Sequence, residues 1–214
     1  SYSVTGVQTC ALPIYFQERL LPHRLDQLVH QFLEKAIPFF ARPGAPVSRR
    51  VAWMTDIHLN FLETEQRERF IRTILQASPD ALLISGDIGE SQDFSIYLKE
   101  IESKYQKPIY FVLGNHDFYY GSISDVCAEA DRLGRQYPNL CWLTGRNEPV
   151  EIGERTGLIG HESWADGRNG DFFGSQIIMN DYLLVKDLFN LDQKTLLKKL
   201  RSEERRVGKE CRSR

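Results

Sequence analysis

Three short apolar runs, each ending in a polar cluster, constrain the fold of this chain more than any other feature. Val51 to Thr55 runs into Asp56-Ile57-His58, Ala81 to Ser85 into Gly86-Asp87, and Ile109 to Leu113 into Gly114-Asn115-His116-Asp117. The runs are continuous rather than alternating, as strands covered on both faces require, so they predict a parallel sheet with helices on both sides. Helical spacing fills the gaps between them. Glu65 to Ala77, with Thr64 as N-cap, places Phe70, Ile71, Ile74 and Leu75 on one side. Phe94, Leu98, Ile101 and Tyr105 mark a second helix, and Ser122 to Leu133 a third, with Ser122 and Asp125 in capping-box spacing. A fourth strand is expected at Asn139 to Leu143, further strands near Val150 and from Gly157 to Gly160, and a last helix from Asn190 to Leu200. The fold class is α/β, and the length of 214 residues suits one domain with a sizeable core.

In an open α/β sheet, ligands bind outside the carboxyl ends of the strands, so all three clusters point into one crevice. Acids, histidines and an amide gathered at the edge of a buried sheet need compensation, because uncompensated charge there is costly. A divalent metal supplies it. Asp56 and His58 can converge on one ion, Asp87 can bridge two with its two oxygens, and Asn115 offers a neutral oxygen to the second. Mixed carboxylate, imidazole and amide ligands suit Mn²⁺, Fe or Zn²⁺ better than Mg²⁺ or Ca²⁺. Gly86 and Gly114 stand just before ligands, where the backbone must turn sharply and approach closely. Asp and Asn also serve as caps and turn residues, which would explain one such cluster; three convergent clusters favour a metal site.

The succession Asp-x-His, Gly-Asp and Gly-Asn-His-Asp, each at a strand end, resembles the calcineurin-like metallophosphoesterase superfamily over Arg50 to Leu200. The resemblance implies a two-sheet β-sandwich flanked by helices, two divalent metal ions, and hydrolysis of phosphate mono- or diesters by a hydroxide bridging the metals. It places metal ligands at Asp56, His58, Asp87 and Asn115, and the catalytic histidine at His116 with Asp117 orienting its ring. The family pattern continues with a histidine after a later strand and then Gly-His-x-His. Nothing in this chain matches either, and His161 is the only histidine after residue 117. The expectation is therefore a partial domain, incomplete at its C-terminal end, that binds at most one ion tightly and turns over little substrate. A non-catalytic phosphate-binding module, or a fragment inactive through truncation, are the other readings. His161 is either a sixth ligand facing substrate or an ordinary loop histidine. Arg168, in the Trp164 to Asp171 stretch, either forks onto phosphate oxygens or sits in a solvated turn. The aromatics Phe118, Tyr119 and Tyr120 are expected to pack against the sheet end.

Both ends read as translated sequencing adapters: Val4 to Ile14 is VTGVQTCALPI and Arg201 to Arg214 is RSEERRVGKECRSR. The expected organisation is adapter sequence over 1–14, a lead helix and linker over 15–49, the phosphoesterase domain over 50–200, and adapter sequence over 201–214. Residues 16–37 have helical periodicity and are either a native lead helix or translated upstream DNA. The tail holds six basic and three acidic side chains, so the chain's net charge of −2 becomes −5 without it. No basic patch then argues for nucleic acid as partner, and a small phosphate ester is expected instead. No apolar run is long enough to span a bilayer and no signal peptide is legible, so a cytoplasmic location is expected. Cys127 and Cys141 are expected as buried thiols rather than a bridge.

Overall fold

The computed structural model describes residues 50–210, save 147, 154, 155 and 169. The lead helix, Val4 to Ile14, His23 and His30 lie outside the described residues. Strands β1 (Val51–Met54), β2 (Ala81–Ser85), β3 (Ile109–Val112) and β4 (Leu140–Trp142) form one parallel sheet in that order. The register aligns Ala52 with Leu82, Leu82 with Ile109, and Ile109 with Leu140. Helices α1 (Thr64–Ala77), α2 (Phe94–Tyr105) and α3 (Ile123–Gln136) make the three crossovers.

Because the strand order advances in one direction, right-handed crossovers put all three helices on the same face. That face carries Ala52, Met54, Leu82, Ile84, Ile109, Phe111, Leu140 and Trp142, packed with Ile71, Ile74, Leu98, Ile101, Val126, Ala130 and Leu133 in the main core. The opposite face carries no crossover helix, which differs from the sequence reading of helices on both sides. It is covered by an antiparallel hairpin, β5 (Val150–Gly153) and β6 (Thr156–Leu158), whose Val150, Ile152 and Leu158 pack on Ala81, Leu83, Tyr110, Val112 and Cys141. Either cover buries both faces, so an apolar run cannot tell helix from hairpin above it. The hairpin gives the molecule a second β layer and leaves Trp53 of β1 57% exposed. Cys127 and Cys141 are free thiols, each partly buried.

The helix ends follow local chemistry. Glu63, not Thr64, is the N-cap of α1: its backbone N–H donates to Gln66 Oε1 at 2.9 Å, closing a capping box one residue earlier than the sequence suggests. Ser122 caps α3 as expected, accepting from Asp125 N at 3.1 Å. After a short helix α4 (Asp181–Leu184), helix α5 (Gln193–Glu210) starts where Asp192 Oδ1 accepts the N–H groups of Lys194 and Thr195. Leu196, Leu197 and Leu200 are buried, and Arg201, in the segment expected to lie outside the fold, donates Nε–H to Asp166 O at 3.2 Å.

Candidate metal centre

The loops leaving β1, β2 and β3 are stitched to one another by backbone hydrogen bonds. Asp56 N donates to Gly86 O at 3.2 Å, His58 N to Asp87 O at 2.9 Å and Leu59 N to Ile88 O at 2.9 Å. The stitching holds Asp56, His58 and Asp87 in the left-handed region, with φ of 53°, 39° and 52°. Such conformations cost non-glycine residues on the order of 1 kcal/mol each, and they persist where surrounding structure over-determines them. Gly86, at φ 92°, passes so close to the third loop that a Cβ would lie 2.5 Å from Gly114 N. At Gly114 a Cβ would lie 2.1 Å from Asp87 Oδ1, so this glycine opens the space the Asp87 carboxylate fills.

His58, Asp87 and His116 offer one ligand atom each within 4.8 Å of one another. The rings of His58 and His116 meet edge to face, with centroids 4.7 Å apart. Asp87, only 3% exposed, accepts His116 N–H on Oδ1 at 3.1 Å. Burial, and then the field of Asp117, push its carboxyl up to about 8. Burial, and then His116, push His58 down to about 4, while Asp56 opposes them. His58 Nδ1 is buried without a hydrogen-bond partner. A carboxyl raised by burial, an imidazole lowered by burial and an orphaned imidazole nitrogen, all in contact, fit a cation site.

Asn115 joins this group through the orientation of its amide. Nδ2 donates to Asp181 Oδ1 at 2.7 Å and to Tyr119 Oη at 2.9 Å. A carboxylate can only accept, so the NH₂ must face Asp181, and Oδ1 is what the side chain can offer a cation. Asp56 is exposed, with Thr55 Oγ1 donating to its Oδ2 at 2.5 Å; it stands outside the compact three-ligand group, although its charge acts on His58, Asp87 and His116.

The geometry corrects one expectation and favours the plainer of two alternatives at His161 and at Arg168. Asp117, fully buried, does not hold the His116 ring. Its Oδ1 accepts Ile88 N and Gly89 N at 2.9 and 3.0 Å, and its Oδ2 accepts Gly114 N at 2.9 Å, so it locks the second loop to the third. His116 instead stacks at 4.4 Å on Tyr119, and Asp181 and Asp56 are the carboxylates whose field opposes the lowering of its pKa by burial. His161 is not in the ligand group: its Nδ1 accepts Ser163 N–H at 2.7 Å, closing a local turn. Arg168 is exposed and paired with Asp166, two residues before it. Of the three aromatics, Phe118 and Tyr119 are buried as expected and Tyr120 is 49% exposed.

Two acids were not legible as site residues. Asp181, 4% exposed, comes from α4, far down the chain, and no strand-end pattern marks it. Glu162 accepts Trp142 Nε1–H at 2.6 Å, and burial raises its pKa. It lines a small cavity with Gly114, Asn115, Trp164 and Asp181.

Fold and site together define a class: an α/β protein whose strand-end loops bring imidazole and carboxylate groups that could hold a metal ion to the carboxyl edge of a parallel sheet. A family model described as calcineurin-like phosphoesterase matches residues 49–205. The chain belongs to that family. Searches of curated proteins and of solved structures find no match.

Proposed function

We propose that this protein is a metal-dependent hydrolase of phosphate mono- or diesters, acting on a small substrate. The observation that supports the reading most is the convergence of His58, Asp87 and His116 within 4.8 Å, beside an Asn115 whose amide is turned by Asp181. An imidazole, carboxylates and an amide oxygen suit Mn²⁺, Fe or Zn²⁺. When bound, such a metal supplies charge stabilisation at the phosphoryl oxygens and lowers the pKa of water. The chain's own residues do the rest. Asp87, His58 and Asn115 would hold the ion, beside the exposed Asp56. His116, set against Tyr119, donates a hydrogen bond to the leaving oxygen. Asp117 keeps the loops that carry these groups at fixed separation. Among the described residues only one compact ligand group forms, so a dinuclear centre in this chain would have one tight and one weak site.

The test is metal stoichiometry by elemental analysis, together with rates on p-nitrophenyl phosphate and its bis-ester. The expected result is one tight Mn²⁺ or Zn²⁺ per chain, lost in Asp87→Ala, and turnover that is slow, metal-dependent and lost in the same variant. Tight metal and phosphate binding with no turnover would assign a non-catalytic phosphate-binding module instead. Metal binding indifferent to Asp87→Ala would overturn the site.

A further inference from the structure

Asp181 is a buried carboxylate that the reaction proposed above does not use. It sits in α4, 66 residues from Asn115, yet its Oδ1 collects both Asn115 Nδ2 at 2.7 Å and Tyr119 Oη at 2.8 Å. The Asn115 amide also touches Tyr119 Oη, so the three groups close a triangle. Tyr119 is itself buried and lies against the His116 ring. A carboxamide is nearly symmetric in shape, and packing alone distinguishes its two ends poorly; hydrogen bonding must choose. A neutral partner with both a donor and an acceptor would permit either orientation. An acceptor-only partner permits one.

We propose that Asp181 is a positioning residue for the metal centre: by holding Asn115 Nδ2 it commits Asn115 Oδ1 to the cation. The inference rests on the metal-site reading of Asn115. The Asp181 field raises the Asp87 carboxyl and favours the protonated form of His116. Tyr119 completes the device by donating to the same oxygen, which fixes the carboxylate that fixes the amide. Partners that orient a ligand in this way typically change metal affinity by about ten- to a hundredfold when removed.

The experiment is a double-mutant cycle on Mn²⁺ affinity, with Asp181→Ala, Asn115→Ala and the double variant, each checked for native circular dichroism and a cooperative melt. Asp181→Ala should weaken Mn²⁺ about tenfold or more. It should weaken it little further in the Asn115→Ala background, because Asp181 acts through Asn115. Asp181→Asn, which keeps the shape but not the acceptor-only character, should fall between wild type and Asp181→Ala. Additive losses, or an Asp181→Ala variant with wild-type affinity, would overturn the proposal while leaving the metal site standing. Absence of Mn²⁺ binding in the wild type would overturn the metal site and the proposal with it. A second readout needs no metal: the Asn115 side-chain NH₂ protons should exchange slowly in wild type and quickly in Asp181→Ala, and equal exchange in both would also overturn the proposal.

Discussion

His58 Nε2 lies 3.7 Å from Asp87 Oδ2, a contact that is an ion pair only when the imidazole is protonated and the carboxyl is not. Burial lowers the imidazole to about 4 and raises the carboxyl to about 8, so across the neutral range both are uncharged. A divalent cation reverses the second of these, because it needs the carboxylate, and it exploits the first, because it needs the free imidazole lone pair.

Metal uptake should therefore release a proton. At pH 7 the metal-free Asp87 holds its proton, and binding of Mn²⁺ or Zn²⁺ should expel about one per ion. Apparent affinity should rise roughly tenfold per pH unit up to about pH 8 and then level off, with Asp87 as the cause. Calorimetric titration in buffers of different ionisation heat measures the release directly. A proton count near zero at pH 7 would show that Asp87 is already ionised.

The metal-free protein should lose stability from neutral to mildly alkaline pH. The folded value of Asp87, about 8, lies above its ordinary 3.8, so its contribution is greatest in acid and is lost as pH rises through 8. The folded value of His58, about 4, lies below its ordinary 6.5, so its contribution grows as pH rises to 6.5 and is complete beyond. The two oppose each other below 6.5; above it the Asp87 loss continues, joined up to about 7 by that of Asp117, which burial raises to about 7. Urea midpoints in chelator should fall between pH 6.5 and 8, by on the order of 1 kcal/mol in stability. Asp87→Asn should flatten that decline.

Gly114→Ala should damage fold and site together. The added methyl meets Asp87 Oδ1 at 2.1 Å and the Asp87 backbone N at 2.6 Å, and the backbone atom cannot swing aside. Overpacking of this kind costs about 1–3 kcal/mol. Denaturant unfolding should show that loss, and Mn²⁺ affinity should fall because Asp87 is displaced. Gly134→Ala, where the nearest atom is 3.6 Å away, is the control and should show neither.

Trp142→Phe should loosen the segment that walls the site. Trp142 Nε1 donates to Glu162 Oε1 at 2.6 Å, and Glu162 is already held above the ordinary carboxyl range by burial. Removing the donor leaves the carboxyl less satisfied, which costs about 1–3 kcal/mol. Equilibrium unfolding measures the cost, and hydrogen exchange should quicken at 161–165. An unchanged midpoint would mean that water replaces the indole.

The sequence by itself determined the elements and the heart of the site. Continuous apolar runs pointed to the four parallel strands, and of the polar residues at their ends His58, Asp87 and His116 come together in one compact group, with Asp56 outside it. The strand order and register that bring His58, Asp87 and His116 together were supplied by the tertiary structure. Only the tertiary structure decided what those residues do to one another. Asp117 turned from the His116 ring to three backbone N–H groups because the second loop passes within reach of it. Asp181 entered from 66 residues away, and Glu162 from 20 residues beyond Trp142, neither marked by any local pattern. The hairpin in place of helices on the second face was equally hidden, since burial demands an apolar cover and is indifferent to its form. Local chemistry is written in adjacent residues; the choice of a partner across the fold depends on distances that exist only once the chain has closed on itself.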